Sequence, residues 1–112
     1  VATITITHEV KDEDIMDNVF CGIFRGSSSW VLRYSYGSYA TTPEVGVWHE
    51  GEDGKTHRKF VTAEMLAQAY GEIIEKGHYH CGQPVTFDDD CWDSCVSDMV
   101  LQQSIFGKVI YG

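Results

Sequence analysis

The spacing of apolar positions along this chain switches between two residues and three to four, and each switch marks an element. Thr3-Ile4-Thr5-Ile6-Thr7 alternates polar and β-branched side chains, which predicts a strand with Ile4 and Ile6 turned inward. Ile15, Met16, Val19, Phe20, Ile23 and Phe24 then recur at helical spacing behind Asp12, a predicted N-cap, until Arg25-Gly26 supplies a cationic last turn and a stop. Ser29 to Tyr36 sets Trp30, Leu32, Tyr34 and Tyr36 against Val31, Arg33 and Ser35, the pattern of a strand with one aromatic face. Val45 to His49 and Thr56 to Val61 flank Glu50-Gly51-Glu52-Asp53-Gly54-Lys55, whose Asp53-Gly54 pair favours a hairpin turn. Thr62 caps a second predicted helix carrying Leu66, Ala69, Tyr70, Ile73 and Ile74 on one face and closed by Lys76-Gly77.

From Gly77 to Asp90 no period survives and Pro84 interrupts, so this stretch reads as a loop or short irregular hairpin. Asp90 then resembles an N-cap with Asp93 at the third helical position, opening a third helix with Trp92, Cys95, Val96, Met99 and Phe106 on one face. Leu101 and Ile105 fall on the other face, so this helix is either covered on two sides or makes an external contact. Lys108-Val109-Ile110-Tyr111 is a candidate terminal strand. Strands grouped as hairpins, rather than alternating with helices, predict an α+β fold in which an antiparallel sheet of about four to five strands is covered on one face by three helices. All of it fits one domain, residues 1–112.

Composition narrows the function classes. A hydrophobic content of 43% closes a compact core, while a formal charge of −9 and only eight Lys and Arg argue against sequence-independent binding to DNA, RNA or an anionic membrane. No window approaches the roughly 18 to 20 apolar residues of a membrane span, and the first residues lack the basic flank and apolar core of a signal peptide. The expectation is therefore a soluble cytoplasmic chain whose macromolecular partner, if it has one, is basic.

Candidate chemistry gathers late in the chain. Between Gly77 and Gly107 lie five carboxylates (Asp88, Asp89, Asp90, Asp93, Asp98), three cysteines and two histidines, with no Lys or Arg. His78, His80 and Cys81 fall within four residues, and Cys91 and Cys95 stand at i and i+4 of the predicted helix, on one face. Thiolates with imidazole at four-coordinate geometry suit structural zinc, four of these five serving as ligands. The spacing matches no zinc ribbon, and the competing reading leaves Cys95 a small core residue, Cys91 a cap-region thiol and the histidines in a loop. Catalytic zinc would need an open coordination site and a positioned general base. Gly51-Glu52-Asp53-Gly54-Lys55-Thr56 has too few residues between its glycines for a phosphate loop, and Gly26-Ser27-Ser28-Ser29 lacks the flanks of a nucleophile elbow. Trp30, Tyr34, Tyr36, Tyr39 and Trp48 have no cluster of basic residues around them in sequence to make a base-stacking platform, and three of them are expected to pack under the helices.

The opening TITIT segment, the helix ending near Gly26, the Ser29-Trp30-Val31-Leu32-Arg33 strand and the close Val100-Leu101-Gln102-Gln103-Ser104-Ile105-Phe106-Gly107-Lys108-Val109-Ile110-Tyr111-Gly112 resemble a group of small acidic proteins encoded by tailed bacteriophages and prophages. The likeness covers both ends of the chain, and the Cys/His cluster departs from it. It implies a phage accessory protein made in a bacterial host's cytoplasm. With the charge distribution, the leading expectation is a non-catalytic inhibitor or adaptor that occupies a basic surface of a host nucleic-acid-binding protein, as anti-CRISPR and other anti-defence proteins do. Its contact residues would be Asp88, Asp89, Asp93 and Asp98, with Leu101 and Ile105 beside them, and Asp12, Glu13, Asp14 and Asp17 as a second acidic cluster. A small structural, self-associating phage protein and a zinc-dependent enzyme are the alternatives.

Overall fold

The computed structural model describes residues 1–4, 8–23, 28–37, 43–80, 82–86 and 92–111. Helix α1 spans Asp12–Gly22, strands β1, β2 and β3 span Val31–Tyr34, Glu44–Glu50 and Thr56–Thr62, helix α2 spans Ala63–Glu75, the short strands β4 and β5 span Tyr79–His80 and Gln83–Pro84, and helix α3 spans Ser94–Phe106. The chain is α+β: β1, β2 and β3 form an antiparallel sheet in that order, β4 and β5 form a separate two-stranded hairpin, and three helices complete the fold.

Among the described residues, two of the expected strands do not appear in the main sheet. Val1 to Ile4 form no strand, with Ile4 86% exposed rather than inward, while Thr5, Ile6 and Thr7 lie outside the described residues. Lys108 to Tyr111 is held by side chains instead of a strand ladder. The acid at Asp12 is the first helical residue of α1 and Lys11 is the cap residue, without a side-chain hydrogen bond; Asp12, Glu13 and Asp14 are favoured there by the positive end of the helix dipole. Thr62 caps α2 as expected, its Oγ1 accepting from Met65 N at 3.3 Å. The cap of α3 is Asp93, not Asp90: Asp93 Oδ1 accepts from Val96 N at 3.0 Å. The helix therefore begins at Ser94, and the expected pairing of Cys95 with Cys91 involves a residue outside the described ones.

The core lies where the three helices meet the inner face of the sheet. Ile15, Met16, Val19 and Phe20 of α1, Leu66, Ala69 and Ile73 of α2, and Val45, Val47 and Val61 of the hairpin are buried, each large side chain contributing about 1.5–3 kcal/mol over an exposed one. α3 packs between α1 and α2, which is why its apolar residues occupy more than one face. Val96, Val100, Leu101 and Ile105 are all buried, and so are Ser97, Gln102 and Gln103.

Those buried polar side chains are satisfied. Gln102 Oε1 accepts from Ile110 N and Tyr111 N at 2.8 Å each, and its Nε2 donates to Asp98 Oδ2 at 2.6 Å and to the Tyr111 carbonyl at 3.0 Å, which exhausts an amide's capacity. The tail so held lays Tyr111 against Trp30, ring centroids 5.8 Å apart and nearly parallel. Ser97 sits where α1 and α3 cross: its Oγ donates to the Asn18 carbonyl at 2.8 Å, and a Cβ on Gly22 would come within 2.7 Å of the Ser97 Cβ. At the sheet's other end, Tyr34 donates to the Phe20 and Ile23 carbonyls at 3.0 and 3.3 Å, and burial, with the Cys21 thiol second, raises its pKa above the ordinary phenol value.

Candidate functional site

Of the residues expected to hold zinc, Cys81, Cys91 and the His80 side chain lie outside the described residues. His78 is half-buried at the start of the β4–β5 hairpin, its carbonyl accepting from Val85 N at 2.9 Å, and Cys95 is exposed in the first turn of α3. Among the described residues no three His, Cys, Asp or Glu side chains converge on a metal-sized space.

The expected contact surface on α3 changes more. Asp88 and Asp89 lie outside the described residues. Asp93 is exposed but caps the helix. Asp98 is turned inward, where Oδ1 accepts from Ser28 Oγ at 2.8 Å and Trp30 Nε1 at 2.6 Å while Oδ2 takes Gln102 Nε2. Leu101 is 0% and Ile105 9% exposed. The second apolar face of α3 is covered by the protein's own helices and sheet, so Leu101 is a core residue, Asp98 is taken up by internal hydrogen bonds, and Ile105 keeps only an edge at the surface.

Of the two expected acidic clusters, the one that lies wholly within the described residues is on α1. Asp12, Glu13, Asp14 and Asp17 all face solvent while Ile15, Met16, Val19 and Phe20 anchor the opposite side of the same helix. Positions 13 and 17, and 14 and 17, are neighbours on a helical surface, so the carboxylates form one row on a rigid element. Tyr36 donates its hydroxyl to Asp17, tying the row to the strand side of the molecule. Two shallow hollows adjoin it and share Val10 and Asp14, one reaching Glu9, Lys11 and Tyr70 and the other Asp17 and Asn18.

A second feature escaped the sequence reading. The β2–β3 register sets His49 opposite His57, both on the inner side of the hairpin, and their rings stack at 5.8 Å. His49 is buried, with Nδ1–H donating to the Glu50 carbonyl at 2.9 Å and its ring edge-on to Phe106 at 5.2 Å. His57 Nε2 meets both oxygens of Asp53 at 2.9 Å, which together with the Lys55 backbone N–H holds the Asp53 carboxyl below its ordinary value. These residues, with Ile105, Phe106, Arg58 and Lys59, line an open groove of roughly 430 Å³. The signal was available: turn length fixes hairpin register, and register places the two histidines together.

On the outer face of the sheet, Trp48 also departs from expectation. Arg33 lies 3.9 Å from its ring centroid and Arg58 5.6 Å, and Arg58 also covers Phe60 at 4.8 Å. The aromatic set had no cluster of basic residues around it in sequence, and strand pairing brings Arg33 and Arg58 together over Trp48. Trp30, in contrast, is buried as expected. The β1–β2 pairing slips between Val31 and Arg33, so that Trp30 and Val31 are both inward and Leu32 is 40% exposed.

Compared with protein-family models, curated proteins and solved structures, the chain matches none. No helix among the described residues is long and apolar enough to cross a membrane.

Proposed function

We propose that this chain is a non-catalytic binding protein that docks the carboxylate row of α1 onto an Arg- and Lys-rich surface of a nucleic-acid-binding partner, occupying it in place of phosphates. The observation that carries this reading is the exposure of Asp12, Glu13, Asp14 and Asp17 together on a helix whose other side is buried. Charges on a rigid, well-packed element are displayed without further ordering cost, and complementary charge gives both rate and specificity of encounter. The net charge of −9 extends the attraction beyond the contact itself. A phage-encoded inhibitor of a host defence protein, acting in the host cytoplasm, is the biological role that the sequence resemblance adds to this physics.

The test combines capture with displacement. Immobilised chain should retain host proteins at low salt and release them to a short DNA duplex, because duplex and chain compete for one basic site. The triple variant Glu13→Gln, Asp14→Asn, Asp17→Asn should retain them weakly while keeping the parent's melting temperature within a few degrees. Retention that persists in the triple variant, or that DNA does not relieve, would end the charge-mimic reading.

A further inference from the structure

The two edges of the main sheet are unlike. β1 is four residues long and its pairing slips between Val31 and Arg33, features that blunt an edge against further pairing. β3 runs seven residues, pairs with β2 without interruption from Thr56 to Thr62 and contains no proline. Among the described residues no strand pairs with its outer side. A long regular edge in that state is a template for strand addition.

β3 also overhangs the helices. His57 and Lys59 point to the inner side and are exposed, whereas their cross-strand neighbours His49 and Val47 are buried. The space left beneath is the groove already described, with Ile105, Phe106 and the His49 ring as its floor. Backbone pairing sites and an apolar recess thus lie side by side, the combination by which an added strand gains affinity from its main chain and selectivity from alternate side chains.

Charge selects the occupant. Asp53 is engaged by His57, and Glu52 by Lys108 at 3.3 Å. Among the described residues Arg58 and Lys59 have no carboxylate partner, and the Arg58 guanidinium rests on Trp48 and Phe60 instead. A second copy joining antiparallel through the same edge would set His57-Arg58-Lys59 against itself, and like charges opposite one another are unfavourable. We propose that β3 accepts an extended acidic segment of a partner protein, which pairs by its backbone along Thr56–Thr62, offers carboxylates on the outer face to Arg58, and turns apolar side chains on the inner face toward Ile105, Phe106 and His49. This surface is distinct from the α1 row, so the chain would hold two unlike partner sites.

The experiment titrates three capped synthetic heptapeptides into isotope-labelled protein: alternating Glu and Val, alternating Lys and Val, and the Glu/Val sequence N-methylated at alternate residues. The expected result is saturable shifts confined to β3 and the groove with the Glu/Val peptide, and slowed exchange at alternate amides of Thr56–Thr62. The Lys/Val and N-methylated peptides should bind at least about tenfold more weakly. Arg58→Gln should weaken the Glu/Val peptide by a similar factor while the amide spectrum outside β3 and Trp48 stays that of the parent. Equal binding of the N-methylated peptide would overturn backbone pairing, and equal binding of the Lys/Val peptide would overturn the charge selection. Absence of saturable Glu/Val binding, protection in the free monomer of those β3 amides that do not pair with β2, or self-association through β3 would each overturn the proposal. None of these outcomes involves Glu13, Asp14 or Asp17, so the α1 reading stands or falls separately.

Discussion

Gly22→Ala tests the crossing of α1 and α3, and two opposing effects decide its sign. Alanine is the better helix former by up to about 1 kcal/mol, and less than that at the last residue of a helix. Against this gain, the added methyl would stand 2.7 Å from the Ser97 Cβ and closer still to its Oγ, an overlap that costs about 1–3 kcal/mol when the neighbour cannot move away. Ser97 is poorly placed to move. It is fully buried, its Oγ donates to the Asn18 carbonyl at 2.8 Å, and it accepts from Trp92 Nε1 at 2.8 Å; losing either bond costs about 1 kcal/mol. The net expectation is a loss of about 2–4 kcal/mol in urea unfolding with the slope unchanged. Ser97→Gly removes both atoms that the methyl meets, at the cost of its own hydrogen bonds and helix propensity. The double variant should then lose less than the sum of the singles by about 2 kcal/mol. A Gly22→Ala protein as stable as the parent, or strictly additive singles, would refute the close crossing.

Gln102→Leu keeps the volume but strands the Ile110 and Tyr111 backbone groups, so the tail should detach from Trp30; expect a loss of about 2–4 kcal/mol and a change in tryptophan emission, with an unchanged spectrum counting against the clamp. Asp53, held down by the His57 hydrogen bond first and the Lys55 backbone N–H second, favours the folded hairpin when ionised. Because its folded pKa lies below the unfolded one, that contribution is present above the ordinary carboxyl range and is lost as pH falls through the lowered folded value. Carbon-detected titration should therefore place its midpoint below 3.8, and His57→Ala should raise that midpoint.

Local signals in the sequence located the elements whose ends are governed by neighbouring residues. Thr62 as a cap, Gly77 as a stop and Asp53-Gly54 as a turn were legible because each acts within a few positions along the chain. The misassignments share a different cause. Asp90 and Asp93 both satisfy the chemistry of a cap, and only the backbone decides between them. Leu101 and Ile105 looked like an exposed second face because one helix read alone cannot show that α1 and α2 flank it on both sides. Asp98 belongs to the same class: as a sequence position it is one acid among several, and in space it is the acceptor for Ser28 and Trp30, some seventy residues away. The groove and the cations around Trp48 needed only register, which turn length supplies, and were missed because the two histidines were read strand by strand.

Gln102 has a consequence for how the chain comes off the ribosome. Its four hydrogen bonds include three to the backbone of residues 110 and 111, and Tyr111 is the ring that lies nearly parallel on Trp30. Until that segment clears the exit tunnel, Gln102 is a buried amide with three of its four bonds unmade, and the helices around it have reason to stay loose. Nascent chains stalled before residue 110 has emerged should therefore remain protease-sensitive along their whole length, with folding completed in a single late step and not helix by helix from the amino end.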